Sequence, residues 1–206
     1  MLKKLLLIIS STLLFIACTK KEPLGFSGPP QILEKEDGTT DTIPYAIPPF
    51  TFIDQDSSIV TNETLKGTNH VVFFFFATCP LQCPLITENL LTHVYSEHKN
   101  TENFKIVSIS LDPEYDNCQI LKEYAASREI DTKKWLFLKG DEDATYELMN
   151  KGFFLAGGKN EKAAGGIDHS TRVALIDKNG YLRQWYKGEN IPALKQLAKD
   201  INRLEP

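Results

Sequence analysis

The sequence predicts a single α/β domain with a central mixed sheet, helices on its faces and an extra hairpin before it. The chain has 206 residues, of which 42% are hydrophobic, so it is long enough to bury one sizeable core. Val71–Phe76 is a continuous apolar run, which is typical of a strand buried on both faces. From residue 50 onward, strand-like and helix-like patterns alternate, as in α/β proteins.

The first half of the domain contains the extra hairpin and two strand–helix pairs. The polar residues 54–57 separate two short apolar segments, which predicts the hairpin. The helix after the buried strand is indicated by apolar residues at helical spacing, namely Ile86, Leu90, Leu91 and Val94. Phe104–Ser110 is the next predicted strand. Asp116 then suits an N-cap, with Gln119 at the capping-box position, for a helix that continues to Arg128.

The second half ends in a hairpin and a helix. Trp135–Leu138 predicts a short strand, and the acid-started segment 141–151 predicts a helix before a Gly-rich stretch at 157–166. Asn179-Gly180 joins two further strands, because Asn-Gly is a strong hairpin signal. Asn190 is placed to cap the closing helix. This order, β-α-β-α-β-α-β-β-α, matches the thioredoxin-like fold.

The N-terminal residues predict an exported, lipid-anchored protein. Residues 1–17 combine Lys3 and Lys4 with an apolar run of a length that suits a signal peptide better than a membrane span. Ala17-Cys18 resembles a bacterial lipobox, in which Cys18 becomes the lipidated first residue. An uncleaved anchor and an ordinary signal peptide are the alternatives. The soluble domain is therefore expected outside the cytoplasm, attached to a bacterial membrane.

Residues 18–49 predict a tether between the anchor and a domain at 50–206. Six of the 11 prolines of the chain lie in this segment among Gly, Ser, Thr and charged residues, a composition typical of semi-extended linkers. The end of the tether, 45–50, is expected to pack on the domain. The formal net charge of −4 argues against a nucleic-acid partner, which would require a basic face.

Two cysteines follow the buried strand at the start of the next helix. Cys79 and Cys83 are therefore expected at the carboxyl edge of the sheet, where open α/β sheets carry their functional sites. A helix N-terminus also favours the thiolate. A purely structural disulfide is the plain alternative, but closing so short a loop stabilises a fold little. The pair is predicted to be redox-active or metal-binding.

Of the four histidines, His169 is the candidate partner of this pair. It precedes the strand 172–177, and in a thioredoxin-like sheet that loop lies against the cysteine turn. His93 and His98 are expected on a solvated helix face, and His70 at the far end of the buried strand. Asp168 and Asp112 are candidates to orient the imidazole.

Four motifs in order resemble the Sco/SenC family over roughly residues 50–204. They are Thr78-Cys79-Pro80-x-x-Cys83-Pro84, Ser110-Leu111-Asp112-Pro113, Trp135-x-Phe137-Leu138-x-Gly140 and Asp168-His169-Ser170. The resemblance implies that Cys79, Cys83 and His169 bind Cu(I) or Cu(II), and that the two thiols also form a disulfide in the oxidised state. It implies a metallochaperone for the binuclear copper centre of cytochrome c oxidase, delivering to the copper-accepting subunit or to another copper protein. Cys118 inherits no role.

Several alternatives remain beside this reading. Some family members reduce the copper-site cysteines of a partner, so a thiol-disulfide oxidoreductase with Cys79 and Cys83 as catalytic residues stays open, as does a passive copper-binding module. Two sulfurs and a nitrogen also suit zinc. A peroxiredoxin-type peroxidase is disfavoured, because its Pro-x-x-x-Thr-x-x-Cys segment fits neither cysteine.

Overall fold

The computed structural model describes residues 22–204 and has a seven-stranded mixed sheet at its centre. Eleven strands occur in chain order: β1 Gln31–Glu34, β2 Thr40–Ile43, β3 Thr51–Asp54, β4 Ile59–Thr61, β5 Asn69–Phe75, β6 Phe104–Ser110, β7 Trp135–Lys139, β8 Gly157–Lys159, β9 Ile167–His169, β10 Arg172–Ile176 and β11 Leu182–Lys187. The six α-helices are α1 Asn62–Leu65, α2 Gln82–Leu90, α3 Ser96–His98, α4 Cys118–Ala126, α5 Glu142–Glu147 and α6 Ile191–Ile201. Leu91–Tyr95 and Leu148–Gly152 are π-helical turns, and Ala164–Gly166 is a 3₁₀ turn.

The strand order of the sheet is β11-β10-β5-β6-β7-β3-β4. Strands β5, β6 and β7 are parallel, whereas β10 and β3 run antiparallel to their neighbours β5 and β7. The hairpin β3–β4 is the extra N-terminal element that the sequence predicts. The predicted fold class, a mixed sheet flanked by helices, is confirmed.

Strand β5 forms the middle of the core because both of its faces are apolar. All seven of its residues are buried, including the aromatic run Phe73–Phe75. Phe75 contacts Phe137 on β7 in an edge-on arrangement, with ring centroids 5.7 Å apart, and Tyr124 on α4 at 5.2 Å. This packing fixes the carboxyl end of β5, from which the cysteine segment leaves the sheet.

The predicted cap of α4 is wrong by one residue. The side-chain oxygen of Asn117, not that of Asp116, accepts the N–H of Ile120 at 3.1 Å, and the helix ends at Ala126 rather than at Arg128. Asp116 is fully buried and points the other way, into the turn that follows β5. Both residue types suit an N-cap, so a tertiary contact decides between them.

The prediction of a solvated His98 is also wrong. Its ring is only 2% exposed, and Nε2 lies 2.9 Å from the carbonyl oxygen of Ala198 on α6. This hydrogen bond to a distant carbonyl offsets the cost of burying the ring. His93 is partly exposed.

The segment predicted as a tether is more structured than a semi-extended linker. Residues 31–43 form the two-stranded hairpin β1–β2, and Tyr45 and Ile47 are buried against the domain as expected for its last part. Residues 24–27 also contact the sheet edge, since the N–H of Ser27 donates to Leu182 at 2.9 Å. The predicted signal peptide 1–17 and Cys18 lie outside the described residues. Among residues 22–204, no helix has the length and apolar character needed to cross a bilayer.

Candidate metal centre

The two cysteines leave the end of β5 in a tight turn. The N–H of Cys79 donates to the carbonyl oxygen of Phe76 at 3.2 Å, which closes the turn. Helix α2 begins at Gln82, so Cys83 lies in its first turn and Cys79 just before it. The sequence spacing alone suggests that both cysteines lie on one helical turn, but only Cys83 is helical. Cys79 is 7% exposed and Cys83 is fully buried.

His169 approaches the sulfurs from a small hairpin within the Gly-rich stretch. Strand β9 ends at His169 and pairs with β8, with Gly157 opposite His169. The Nε2 atom of His169 lies 3.4 Å from the Sγ atom of Cys83. The three donor atoms of Cys79, Cys83 and His169 all lie within 4.8 Å of one another. The fold thus brings together Cys83 and His169, which are 86 residues apart in the sequence.

The other ring nitrogen of His169 is held by backbone. Nδ1 lies 3.1 Å from the carbonyl oxygen of Ser170, so the proton is placed on Nδ1 and the lone pair of Nε2 faces Cys83. Within residues 22–204 the ring is thus oriented by a backbone carbonyl, and the charge of Asp168 acts on it without a hydrogen bond. Burial lowers the pKa of His169, which favours the neutral ring that a metal ligand requires.

The close approach of the hairpin strands depends on Gly157. A Cβ atom at this position would lie 2.6 Å from the carbonyl oxygen of Asp168 and 2.9 Å from the Cα atom of His169. Asn150 fixes the same glycine from outside, because its side chain accepts the Gly157 N–H and donates to the Gly157 carbonyl oxygen, both at 3.1 Å. The position of His169 therefore follows from a glycine on the neighbouring strand.

The surroundings of the two thiols shift their pKa values in opposite directions. Burial alone raises the pKa of Cys79, but the N–H groups of Cys83, Leu81 and Gln82 and the Cys83 thiol together lower it below its usual value. Burial raises the pKa of Cys83 well above the usual range, and the nearby Cys79 sulfur adds to the effect. Cys79 is therefore the more acidic thiol and Cys83 the more protected one.

The buried carboxylate of Asp116 supports the turn between β5 and Cys79, a role that the sequence did not predict. One oxygen of Asp116 accepts the N–H of Ala77 at 3.1 Å and the hydroxyl of Ser110 at 2.5 Å. The sequence indicates this residue only by its position, because Asp116 is an acidic residue in the loop that follows β6, the strand next to β5. Asp116 therefore has a structural role, because it holds the backbone at Ala77, two residues before Cys79.

The other candidate residues from the sequence, His70 and Cys118, are not part of the metal centre. His70 lies near the start of β5, at the end opposite the cysteines, as expected. Within residues 22–204, Cys79, Cys83 and His169 form the one group of three metal-ligating side chains within bonding reach. Both cysteines and the partly exposed Cys118 are free thiols, so the expected disulfide stays a prediction for the oxidised form. A surface cavity of ≈ 270 Å³, lined in part by Cys79, Gln82 and His169, gives access from solvent.

Comparison with known proteins places this arrangement in a family. Residues 39–205 match the family model described as SCO1/SenC. Among the solved structures that are similar in fold are three with the following identity and coverage. A SCO1/SenC family lipoprotein from Bacillus anthracis has a TM-score of 0.71 and 28% identity over 78% of this chain and 95% of its own.

The other two structures are described by their copper chemistry or redox state. BsSco, described as a member of the Sco family of cytochrome c oxidase assembly proteins with a disulfide switch, has a TM-score of 0.68 and 29% identity over 79% of this chain and 95% of its own. ScoI of Arabidopsis thaliana, solved with copper bound, has a TM-score of 0.64 and 25% identity over 77% of this chain and 99% of its own.

Proposed function

The chain belongs to the SCO1/SenC family, and on that premise we propose that it is a copper metallochaperone for the assembly of cytochrome c oxidase. In this proposal Cys79, Cys83 and His169 hold copper as cargo and release it to the binuclear copper site of the copper-accepting subunit, or to another copper protein. The similarity to a copper-bound Sco structure and to a cytochrome c oxidase assembly protein supports both parts.

The observation that carries the proposal is the spacing of the three donor atoms. A metal about 2.0 to 2.3 Å from each donor at trigonal angles separates the donors by about 3.7 to 4.0 Å. The observed Sγ–Nε2 distance of 3.4 Å and the 4.8 Å limit on all three pairs bracket these values. Small side-chain shifts would therefore close the site, without movement of the sheet.

The donor types favour copper and suit transfer. Two thiolates and an imidazole are soft donors of the kind that select Cu(I), and they also occur in Cu(II) sites. Three protein donors leave a position for a ligand from the acceptor, and both Cys79 and His169 line the surface cavity. Zinc suits the same donor atoms as well.

The anchor is part of the same proposal. We infer that Cys18 is lipidated after cleavage of residues 1–17, and that the domain is displayed outside the cytoplasm on a bacterial membrane. Support comes from the lipobox-like sequence at Ala17-Cys18 and from the B. anthracis relative, which is described as a lipoprotein. The proposed division of the chain is the tether 18–49 and the domain 50–206, with residues 22–27, Tyr45 and Ile47 of the tether in contact with the domain.

Thiol-disulfide exchange is the second candidate function, and one observation favours it. Cys79 has the lowered pKa and Cys83 the raised one, which is the asymmetry expected of an attacking and a resolving cysteine. In this version Cys79 and Cys83 are catalytic residues that reduce a disulfide between the copper-site cysteines of a partner to two thiols and themselves become a disulfide. The disulfide form cannot hold copper, so the two functions are alternative states of the same thiols.

A Cu(I) titration of the reduced full-length protein against a competing chelator tests the copper proposal. We expect one copper per chain and, for His169→Ala, an affinity lowered by about 100-fold or more, because even the loss of outer partners costs 10- to 100-fold. His93→Ala removes a partly exposed imidazole away from the site and serves as the matched control. Equal affinities of His169→Ala and the control would remove the imidazole from the site.

A further inference from the structure

The first described residues of the chain are fixed to the domain by two arginines. The guanidinium of Arg183 donates through Nε to the carbonyl oxygen of Gly25 at 3.0 Å and through Nη2 to that of Leu24. Arg203 donates two hydrogen bonds, of 3.1 and 3.0 Å, to the carbonyl oxygen of Glu22. We call residues 22–26 the strap. Because both arginines donate to backbone carbonyl oxygens, they fix the backbone of the strap and not only its side chains.

The binding site for the strap is built into the fold. The side chain of Arg183 is only 10% exposed, and its Nη1 is paired with the buried carboxylate of Asp177 at 3.0 Å. The Phe26 ring lies over the same guanidinium at 4.3 Å and meets the Tyr181 ring edge-on at 5.7 Å. Arg203 is held in turn by Asp200 at 2.7 Å. Each guanidinium is thus fixed by a carboxylate of the domain as well as by the strap.

The strap lies at the end of the sheet opposite the metal centre. Asp177 follows β10, whose last residue Ile176 pairs with His70 near the start of β5. The cysteines follow the other end of β5, and His169 precedes the other end of β10. Seven residues of strand separate the two ends by about 20 Å. The chain therefore enters the domain at one pole and carries its metal site at the other.

The two poles differ in charge. The cationic pole comprises the loops 66–68, 99–103, 127–134, 177–181 and 202–204, at the amino ends of β5, β6 and β7. Its seven cations are Lys66, Lys99, Arg128, Lys133, Lys134, Lys178 and Arg203, against the four carboxylates Glu102, Glu129, Asp131 and Asp177 of the same loops and against Glu63 and Asp200, which pair with Lys66 and Arg203 from the adjoining helices. The loops of the metal pole (76–81, 111–117, 140–141, 157–171 and 188–190) carry the two cations Lys159 and Lys162, against the seven carboxylates Asp112, Glu114, Asp116, Asp141, Glu161, Asp168 and Glu189.

We propose that the cationic pole is a surface that binds anionic lipid headgroups. The strap holds this pole next to the membrane, so that the metal centre faces away from it. The inference rests on the proposed lipidation of Cys18. Glu22 lies four positions after Cys18, and four residue steps span at most about 14 Å. The strap therefore begins close to the lipid surface, next to Lys20 and Lys21. Anionic headgroups attract the cationic pole and repel the acidic metal pole.

The test measures which pole lies near lipid in the full-length lipidated protein. The protein is reconstituted in vesicles of phosphatidylethanolamine and phosphatidylglycerol that contain headgroup nitroxide lipids, which quench only at short range. A fluorescent amino acid replaces either Asn100 in the cationic pole or Glu161 in the metal pole, both of which are exposed. We expect quenching at position 100 to exceed that at position 161 by about threefold or more, given the length of the sheet. Equal quenching, or the reverse order, would overturn the proposal.

Two pairs of variants separate the strap from the charge. Phe26→Ala combined with Arg203→Lys weakens the strap contacts while it keeps the charge of the cationic pole, and it should bring the ratio below about 1.5, whereas Arg172→Lys at the start of β10 should leave the ratio unchanged. Lys99→Gln with Lys133→Gln should lower the ratio, while the control Lys162→Gln with Lys187→Gln should not. A ratio that does not respond to the strap variant, or that is the same in vesicles without phosphatidylglycerol, would contradict the proposal.

Copper binding is measured on the same vesicles, so the two proposals fail in different ways. Equal quenching at both poles with one copper per chain would overturn the orientation and leave the metallochaperone function intact. Absence of copper with unequal quenching would do the opposite. A chain that is released from the vesicles, with an unmodified Cys18 by mass spectrometry, would overturn the orientation together with the anchor.

Discussion

At the scale of single residues, the two sulfurs of the metal centre have different surroundings. Cys79 receives N–H groups from the start of α2, whereas Cys83 is enclosed by apolar side chains and His169. A lowered pKa gives Cys79 a larger thiolate fraction at neutral pH than an ordinary cysteine has, and a raised pKa gives Cys83 a smaller one. The pair is therefore expected to react in a fixed order.

Alkylation of the reduced protein tests this order. In a Cys118→Ser background, we expect iodoacetamide to modify Cys79 at least about tenfold faster than Cys83 near pH 7, since each pKa unit changes the thiolate fraction tenfold. Peptide mass spectrometry over time measures both rates. Faster modification of Cys83 would contradict the assignment of the acidic thiol, and with it the second candidate function.

Asp116 provides a second test at a single position. Asp116→Ala leaves the buried N–H of Ala77 and the hydroxyl of Ser110 without their acceptor, so the free energy of unfolding should fall by about 2 kcal/mol. Glu114→Ala, at an exposed position four residues after the end of β6, should change it by less than about 0.5 kcal/mol. Chemical denaturation measures both. Similar losses in the two variants would show that the carboxylate does not support the turn.

Asp116 also gives the fold a pH dependence of definite sign. Burial raises the pKa of Asp116 above its ordinary value of 3.8. A carboxyl group whose pKa is higher in the folded chain stabilises the fold while it is protonated, and this contribution is lost as the pH rises through the folded-state pKa. The stability of the natural protein relative to Asp116→Asn is therefore expected to decrease from pH 4 toward pH 7.

At the scale of elements, the hairpin β8–β9 is the part that positions His169. Gly157→Ala places a Cβ atom against the backbone of Asp168 and His169, so the strands must separate and the imidazole must move. Gly158→Ala is the matched control, because nothing lies within 4 Å of its Cβ position. We expect Cu(I) affinity to fall by about tenfold or more in Gly157→Ala and by less than about twofold in Gly158→Ala. Equal affinities of the two variants would mean that the hairpin does not set the site.

Some elements could be predicted from the sequence because their signals are local. Phe104–Ser110 forms the predicted strand to the residue, Asn179-Gly180 lies in the predicted hairpin turn, and Asn190 caps α6 by accepting the N–H of Ala193. Each rests on apolar content, turn chemistry or a cap, all of which act within a few residues.

Other elements could not be predicted, because the interactions that decide them are distant in sequence. Strand β8 is three residues, two of them glycine, and it has no apolar alternation to indicate a strand. The choice of Asn117 over Asp116 as cap depends on Ala77, 39 residues away. Burial of His98 depends on a carbonyl oxygen 100 residues away.

At the scale of the whole molecule, the fold joins three donors that the chain keeps far apart. The sequence indicates the cysteine pair by its place after a buried strand, and it indicates His169 only through the expected fold and the family resemblance. Arg183 and Arg203 gave no such signal, because their partners are backbone carbonyls of the N-terminal segment. The polarity of the molecule, with the strap at one end and the metal centre at the other, therefore emerges only in three dimensions.

X-ray absorption spectroscopy at the copper edge, on the reduced full-length protein loaded with one equivalent of Cu(I), tests the central claim most directly. We expect two sulfur scatterers and one imidazole nitrogen bound to copper, with the imidazole signal lost in His169→Ala and kept in His93→Ala. A shell made of sulfur alone in the natural protein, or an imidazole signal that survives His169→Ala, would contradict that claim.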